Sequence, residues 1–343
     1  MKLKYLFLPL LMLLWGCPIT VDLPDCENSF VLQGFQLTAN YTTFNTMGSS
    51  IEFKDEANGF LANGSSELHL TTDGGGTWTG VTPDAEYNLT EVCMAPSGNI
   101  FAIGFKQVNY FTAGIFRSQD NGNSWMQVYF PENDSMSISS IVFTDPVNGF
   151  AVGNFYNMDA QGNYSVIYST HDGGENWETE RRTEYIDHVC TAGTSIIAYS
   201  WLNYILRSDD NGTTWNTLNL ASPNGINTVT FYNSEIGYYA DYGSIFSTAD
   251  GGATWTKIRS LPGNTNCIRV SPDNSIYVFG YGESTGFDIN WSRGMIGFSE
   301  DGGANWIINS VFCEATSIKA VAFVGNDKFY VPGDYYEVIK FEK

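Results

Sequence analysis

The fold of this chain is decided by an eight-residue stretch, TTDGGGTW at residues 71–78, which recurs five more times in variant form. Each copy places a Gly two residues after an Asp and a Trp five residues after it. Successive Trp residues are separated by 47, 52, 38, 40 and 51 positions, a period typical of β-propeller blades. We call these copies the Asp-Gly-Trp turns, and their defining pairs are Asp73 and Trp78, Asp120 and Trp125, Asp172 and Trp177, Asp210 and Trp215, Asp250 and Trp255, and Asp301 and Trp306.

Each residue type in the turn has a physical role. An Asp carboxylate accepts hydrogen bonds from backbone N–H groups of its own turn and thereby fixes a tight reversal. The Gly two positions later takes a positive φ without steric cost. The Trp starts the next strand, and we expect its ring to be buried between neighbouring sheets. Arg117 and Arg207, which lie beside two of the turns, receive the same structural interpretation.

Four short strands accompany each turn. An apolar triplet such as Ile51-Glu52-Phe53 is followed by a short turn, a second strand, and a third strand that runs into the Asp-Gly-Trp turn. A seventh unit, residues 321–341, stops after its third strand, and the apolar segment 29–38 can supply the missing outer strand. We therefore predict that residues 29–343 form one all-β domain. It is a seven-bladed β-propeller of four-stranded antiparallel blades, closed by an N-terminal strand in the last blade.

The first 16 residues have the organisation of a bacterial signal peptide. Lys2 and Lys4 precede an apolar run of eleven residues, which is too short to span a bilayer. The run ends in Leu14-Trp15-Gly16-Cys17, which resembles the lipobox of bacterial lipoproteins. That resemblance implies cleavage before Cys17, acylation of Cys17 by chains such as palmitate, and a lipidated tether over residues 17–28. The alternative is an ordinary signal peptide followed by a chance cysteine.

Composition and charge bound the class of function. The chain is 43% hydrophobic and 15% charged, so it can bury a core, and its 35 Gly, 20 Tyr, 23 Phe and 9 Trp favour strands. A net charge of −21 repels phosphate backbones and disfavours a nucleic-acid partner. Three His and the lack of a C-x-x-C pair leave little scope for a metal site, and we expect no cofactor. An odd number of cysteines follows Cys17, so at least one stays free, and the pairing is open among Cys26, Cys93, Cys190, Cys267 and Cys313.

The two faces of the predicted propeller differ in what the sequence places there. The Asp-Gly-Trp turns recur once per blade, whereas catalysis needs unlike groups that converge on one point, so we assign these Asp residues a structural role. The opposite face carries long connections between second and third strands. Aromatic residues on such loops favour contact with a protein or a sugar, unless they pack back on the propeller. The candidate binding residues of this kind are Tyr110, Phe155, Tyr156, Trp201, Tyr204, Tyr281 and Trp291.

Residues that open the inner strands should line the mouth of the central channel. His188 beside Asp187 could form a proton-transfer pair, although such a His is more often a hydrogen-bonded channel residue. We count Glu91, Asp187, His188 and Arg269 among the candidate binding residues and assign no catalytic residue. The predicted channel positions are Thr90, Glu91, Asp187, His188, Asn227 and Asn266, with Glu52 and Arg269 one step deeper.

Together, the turns resemble the Asp-box, or bacterial neuraminidase repeat. Sialidases with this repeat clamp the substrate carboxylate with three Arg, whereas Arg269 alone among seven Arg lies on a predicted inner strand, and the Arg-Ile-Pro motif is absent. Nearly the whole mature chain resembles instead the photosystem II assembly and stability factor family, as in Gly59-Phe60-Leu61-Ala62 followed by TTDGGGTW. This resemblance implies a seven-bladed propeller, often exported and lipid-anchored, that serves as a protein-binding platform. It does not imply a photosystem partner, because the photosynthetic members use a basic Arg patch that this acidic chain largely lacks.

We therefore predict a membrane-anchored, extracytoplasmic lipoprotein of the bacterial cell envelope, periplasmic or surface-exposed, whose propeller binds a protein or glycan without catalysis. The alternative is a glycoside hydrolase, sialidase-like or of another type, that uses the channel-mouth carboxylates Glu91, Asp187 and Glu283. The two hypotheses differ in geometry. A hydrolase needs two carboxyl groups roughly 5–9.5 Å apart in one pocket, whereas a binding protein presents a broad aromatic face.

Overall fold

The computed structural model describes most of the chain beyond the N-terminal segment. The described residues are 36–40, 49–106, 111–129, 135–155, 164–220, 224–271, 273–282, 293–312, 318, 320–325, 328–332 and 338–342. The contacts among its residues divide the chain into two compact units, residues 1–30 and residues 31–343. Every described residue belongs to the second unit. No helix long and apolar enough to cross a bilayer is found in this described part.

The described residues form β-strands arranged as seven blades, which confirms the predicted fold. Strand β1 (Gln36–Asn40) belongs to the last blade. Blade one contains β2 (Ser50–Phe53), β3 (Gly59–Ala62), β4 (Leu68–Thr71) and β5 (Thr79–Val81). Blade two contains β6 (Tyr87–Met94), β7 (Ile100–Lys106), β8 (Phe111–Ser118) and β9 (Met126–Tyr129), and the short β10 (Ser135–Met136) follows it. Blade three contains β11 (Ser140–Phe143), β12 (Gly149–Phe155), β13 (Tyr164–Thr170) and β14 (Glu178–Arg182).

The remaining four blades repeat the same antiparallel order from inner to outer strand. Blade four contains β15 (His188–Ala192), β16 (Ser195–Ser200), β17 (Tyr204–Ser208) and β18 (Asn216–Leu218). Blade five contains β19 (Thr228–Phe231), β20 (Gly237–Ala240), β21 (Ser244–Thr248) and β22 (Thr256–Ser260). Blade six contains β23 (Gly263–Val270), β24 (Ile276–Gly282), β25 (Arg293–Ser299) and β26 (Ile307–Phe312). Blade seven contains β27 (Ala322–Val324), β28 (Lys328–Pro332) and β29 (Val338–Glu342), with β1 as its outer strand.

The N-terminal strand closes the ring, as the sequence predicted. β1 pairs antiparallel with β29, from Gln36 opposite Glu342 to Asn40 opposite Val338. The strand occupies residues 36–40 rather than the expected 29–38, and residues 29–35 lie outside the described part of the chain. Because the first and last segments of the domain share one sheet, the last blade gains a fourth strand and its third strand is no longer an unpaired edge.

Strand β10 is an element that the sequence did not predict. It pairs parallel with the start of β8 and antiparallel with the end of β12, at Met136 opposite Phe155. Blades two and three are therefore joined into one nine-stranded sheet. The connection from blade two to blade three thus bridges these two blades by backbone pairing as well as by side-chain packing.

The hydrophobic core lies between neighbouring blades. Phe60 of blade one packs in one cluster with Ile100 and Phe116 of blade two, and all three are at most 2% exposed. Burying each such side chain contributes about 1.5–3 kcal/mol. The Trp rings of the turns help to fill these spaces: Trp177 of blade three lies edge-on to Phe101 of blade two at 6.5 Å. The outer strands start one residue after each Trp rather than at it. A core distributed in this way makes the propeller a rigid support for its loops.

The propeller has two faces of different construction. In an antiparallel four-stranded blade, the connections between first and second strands and between third and fourth strands emerge at the same end. These connections include the Asp-Gly-Trp turns, and we call this end the turn face. Connections between second and third strands and between successive blades emerge at the other end, which we call the loop face. The inner strands β2, β6, β11, β15, β19 and β23 run from the loop face to the turn face around a central channel.

Candidate functional site

The Asp carboxylates of the Asp-Gly-Trp turns hold the backbone of their own turns through hydrogen bonds. Asp73 accepts hydrogen bonds from the Thr77 backbone N–H at 2.8 Å, from the Thr77 hydroxyl at 2.7 Å and from the Thr71 hydroxyl at 2.9 Å. The same backbone bond to the Asp carboxylate recurs from Ser124 to Asp120, Asn176 to Asp172, Thr214 to Asp210, Thr254 to Asp250 and Asn305 to Asp301, at 2.8–3.0 Å. Hydrogen bonds of this kind lower the pKa of Asp250 to about 2, chiefly those from the Thr254 hydroxyl and backbone N–H. These carboxylates therefore act as structural anions.

Two consecutive residues of each turn have left-handed backbone conformation. Gly75 has φ 84°, as expected for the Gly two positions after the Asp. The residue before it is also left-handed, which the sequence analysis missed. The sequence did indicate this conformation, because only Gly or Asn occupies that position in the six turns, and these residues tolerate a left-handed backbone best. The residues at that position are Gly74, Asn121, Gly173, Asn211, Gly251 and Gly302, with φ between 54° and 74°.

Two arginines on third strands fasten adjacent blades on the turn face. The Arg207 guanidinium donates to the carbonyl oxygens of Ser234 (2.9 Å) and Gly251 (3.0 Å), both in blade five. It also pairs with Asp209 at 2.8 Å within its own blade. Arg117 of blade two is 4% exposed and pairs with Glu175 of the next blade at 2.8 Å. These contacts agree with the structural role assigned to both side chains.

The central channel contains a cavity of about 270 Å³ between the inner strands. Among the described residues, three charged side chains line it: Glu52 on β2, Glu91 on β6 and Arg269 on β23. Cys93, Cys190 and Thr230 lie in the same wall, and Cys93, Cys190 and Cys267 are free thiols. Burial raises the pKa of the Cys190 thiol to about 12, which keeps it protonated. The described residues include no group of three His, Cys, Asp or Glu side chains that could hold a metal ion.

Glu91 faces this cavity by the alternation of its strand, two residues before Cys93 in the same wall. A β-bulge between Leu89 and Glu91 leaves Thr90 without an opposite residue in the register of β7, although its hydroxyl donates to the Ile103 carbonyl oxygen at 3.4 Å. The Glu91 carboxylate accepts hydrogen bonds from the Ile141 backbone N–H (3.2 Å) and the Ser140 hydroxyl (3.4 Å) of blade three. Burial nevertheless raises the pKa of Glu91 to about 8, and the nearby Glu52 adds to this effect.

Asp187 and His188 stand at the start of an inner strand but do not line the cavity. The Asp187 Oδ1 atom is buried without a hydrogen-bond partner and lies 3.9 Å from His188 Nε2, beyond hydrogen-bond distance. Burial raises the pKa of Asp187 to about 6 and lowers that of His188. The His188 ring stacks on Tyr199 at 5.1 Å. The two residues are therefore neighbours without the aligned hydrogen bond of a proton-transfer pair.

An exposed apolar surface lies on the loop face of blades four and five. Trp201 and Leu202 come from the connection after β16, and Trp201 is 52% exposed. Tyr204 starts β17, and Tyr242, from the connection after β20, is 59% exposed. Gly225 lies between the two connections: a Cβ added there would be 2.6 Å from the Trp201 carbonyl oxygen and 3.5 Å from the Tyr242 ring. We call Trp201, Leu202, Tyr204 and Tyr242 the apolar surface.

The other predicted aromatic residues are placed differently. Phe155 is half-buried and stacks on Tyr164 at 4.7 Å, and the Tyr281 hydroxyl contacts Asn264 Nδ2 at 2.5 Å, so both rings pack on the propeller. Sequence reasoning missed Leu202 and Tyr242. The Asp-Tyr-Gly sequence at 241–243, a Tyr within a tight turn of the loop face, was the available signal. Cys17, Tyr110, Tyr156, Glu283 and Trp291 lie outside the described residues.

Comparison with known proteins supports the resemblance seen in the sequence. No family model matches the chain. It is 23% identical over 271 residues to the photosystem II assembly lipoprotein Ycf48 of Synechococcus sp. (strain CC9902), covering 75% of this chain and 73% of that protein. Ycf48 from Cyanidioschyzon merolae superposes with a TM-score of 0.68 at 18% identity, over 89% of this chain and 98% of that one. A structure of Ycf48 bound to D1 peptide gives a TM-score of 0.68 at 16% identity, over 92% and 98%. The chain is thus similar to Ycf48 in sequence and shares its propeller fold.

Proposed function

We propose that this chain is a lipid-anchored, extracytoplasmic protein of the bacterial cell envelope whose propeller binds a protein partner through its loop face and catalyses no reaction. The observation that carries the proposal is the apolar surface. Large apolar side chains held exposed on the loops of a rigid scaffold are typical of contact sites, because burying them against a partner removes apolar area from water. Among the described residues, the turn face also exposes large apolar side chains, but each of them belongs to a different blade and they form no shared surface: Met126, Val147, Tyr232 and Ile307.

The comparisons support a peptide-binding role. Ycf48, which shares the fold, has been solved bound to D1 peptide. For this chain, the net charge of −21 favours a partner that carries positive charge. A protein partner is preferred over a glycan on the same ground.

The proposed anchor rests on the sequence around Cys17 and on the lipoprotein nature of the Synechococcus relative. Labelling cells that express the full chain with a palmitate analogue, followed by membrane fractionation, tests it. We expect the wild-type chain to be labelled and membrane-bound, and Cys17→Ser to be unlabelled. A labelled Cys17→Ser variant, or an unlabelled wild-type chain, would contradict the anchor but not the partner-binding role.

Partner binding is tested with two tyrosine variants on opposite faces. Tyr242→Ala removes part of the apolar surface, and Tyr232→Ala removes a 41% exposed Tyr that follows β19 on the turn face. The full chain is solubilised from the envelope, and its cross-linked partners are identified by mass spectrometry. We expect Tyr242→Ala and Trp201→Ala to lose a partner that Tyr232→Ala retains. Equal retention by all three variants would exclude the apolar surface as the contact site.

The glycoside hydrolase alternative has a separate test. Of its three predicted carboxylates, Glu91 lines the cavity, Asp187 does not, and Glu283 lies outside the described residues. Glu52 and Glu91 do share one cavity, and the raised pKa of Glu91 is of the kind that a general acid requires. Release of reducing sugar from a glycan panel, abolished by Glu91→Gln, would overturn the non-catalytic assignment. We expect no turnover.

A further inference from the structure

The central cavity contains opposite charges that share one space without pairing. Glu52, Glu91 and Arg269 all line it. In the part of the chain that the structure describes, the Arg269 guanidinium forms no ion pair with Glu52 or Glu91, and the Glu52 carboxylate accepts no hydrogen bond. Buried charged groups without a direct ion pair are only partly compensated, because burial removes part of their hydration: the charge of Arg269 lowers the pKa of Glu52, but burial raises it by more.

The charged groups are held apart by the walls of the channel. The Glu91 carboxylate is bound by the Ser140 hydroxyl and the Ile141 backbone N–H of blade three. The Arg269 Nη1 donates to the carbonyl oxygen of Ile268, its neighbour on β23, at 3.1 Å. These hydrogen bonds tie the two side chains to different walls of the channel, Glu91 to blade three and Arg269 to its own strand in blade six.

We propose that this cavity binds a small zwitterion of the α-amino acid type. Its carboxylate would lie at Arg269, beside the Thr230 hydroxyl on the adjacent inner strand β19, and its ammonium group would lie at Glu52 and Glu91. The proposal goes beyond partner binding and does not depend on it.

The size and charge pattern of the cavity select this ligand class. A volume of about 270 Å³ lies just below the usual range for drug-sized ligands, so the site suits a small molecule. A ligand with only a negative group would pair with Arg269 but would also lie beside two carboxyl groups. A ligand with only a positive group would be repelled by Arg269. A zwitterion satisfies both signs at once, since guanidinium–carboxylate and ammonium–carboxylate contacts are charge-assisted hydrogen bonds.

Binding should release a proton. Because the pKa of Glu91 is raised to about 8, the carboxyl group is mostly protonated at neutral pH, and a nearby ammonium group favours its ionised form. Affinity should therefore increase from pH 6 to pH 8, and proton release should be largest below pH 8. The titratable or charged groups that act on Glu91 or on the cavity around it are Glu52, Cys93, Cys190, Tyr199, Cys267 and Arg269.

The test is isothermal titration calorimetry of the purified full chain with each proteinogenic L-amino acid, in phosphate and in Tris buffer. Propionate and ethylammonium, which each carry one of the two charges, are the matched probes. We expect at least one amino acid to bind, at least tenfold tighter than either single-charge probe. The heat should differ between the buffers, because a proton is released.

Variants then assign the contacts. Arg269→Gln and Glu52→Gln should each weaken binding at least tenfold, whereas Arg259→Gln, on the exposed outer strand β22, should not change it. Near-UV circular dichroism shows whether each channel variant folds. If one does not, the proposal is still tested by comparing how the wild-type chain binds the zwitterion and the single-charge probes. Binding of no amino acid, equal binding of a single-charge probe, or full binding by a folded Arg269→Gln variant would overturn the proposal.

Discussion

Replacing Arg207 by Met should loosen the contact between blades four and five. The guanidinium makes two hydrogen bonds to carbonyl oxygens of blade five, one to the Ser195 hydroxyl and one to Asp209, at 2.8–3.0 Å. The side chain is 14% exposed, whereas Asp209 is 58% exposed, so the ion pair itself is worth little. The three bonds to neutral acceptors contribute about 1 kcal/mol each after competition with water. Met keeps most of the aliphatic packing, so we expect a loss of about 2–3 kcal/mol.

Urea unfolding followed by Trp fluorescence measures this loss directly, and the melting temperature should fall by about 3–5 °C for a domain of this size. Arg259→Met on the exposed strand β22 is the matched control and should stay within about 0.5 kcal/mol of wild type. Arg207→Lys should recover only a minor part, since a single ammonium group cannot reproduce the forked contact. If Arg207→Met costs no more than Arg259→Met, the inter-blade contact does not contribute to stability and the reasoning is wrong.

Three further outcomes are expected. Gly104→Ala would place a methyl group 2.2 Å from a carbonyl oxygen of the paired inner strand, so we expect the free energy of unfolding in urea to fall by about 1–3 kcal/mol. Gly243→Ala is the control and should be near neutral, because the atom nearest to its added methyl group is 3.8 Å away. The folded-state pKa of Glu91 is raised from 4.5 to about 8, so between these pH values the unfolded chain binds fewer protons than the folded chain. The free energy of unfolding should therefore fall as the pH rises through this interval. Urea titrations at stepped pH measure this slope, and Glu91→Gln should abolish it. The folded-state pKa of Asp250 is lowered from 3.8 to about 2, so its contribution to stability is present above pH 4 and should disappear on acidification to pH 2. Acid unfolding followed by circular dichroism should therefore depend less steeply on pH in Asp250→Asn than in the wild-type chain.

The architecture was predictable because its determinants are local. An Asp, a Gly and a Trp at fixed spacing dictate one reversal, since the Asp73 carboxylate bonds groups within four residues of itself and Gly75 must be left-handed. Six repetitions of this reversal, each preceded by alternating apolar residues, leave few arrangements other than stacked four-stranded sheets. The closing strand could also be inferred, because the C-terminal unit lacked a fourth strand.

The candidate site was predictable only in part. Glu52, Glu91 and Arg269 were expected near the channel and do line its cavity, because inner-strand alternation fixes which side chains face inward. Asp187 and His188 were expected at the mouth of the channel, above Glu52 and Arg269; they stand at the start of β15 and do not line the cavity. The bulge at Thr90 was not foreseeable, since a bulge depends on the pairing partner and on Gly104 opposite, where a Cβ would meet the Asn88 carbonyl oxygen.

The sequence by itself determined the blade count, the turn chemistry, the closure of the ring and the acidic character of the protein, because each depends on residues close together in the chain or on composition. Only the tertiary structure decided which aromatic rings are exposed and which charges share a cavity. Trp201 and Phe155 both occupy loop-face positions, yet one is open to solvent and the other stacks on Tyr164. Likewise, Glu91 and Arg269 are more than 170 positions apart and meet only because the ring brings blades two and six around one channel. Exposure and charge juxtaposition are set by neighbours that are distant in sequence, and for that reason no local pattern records them.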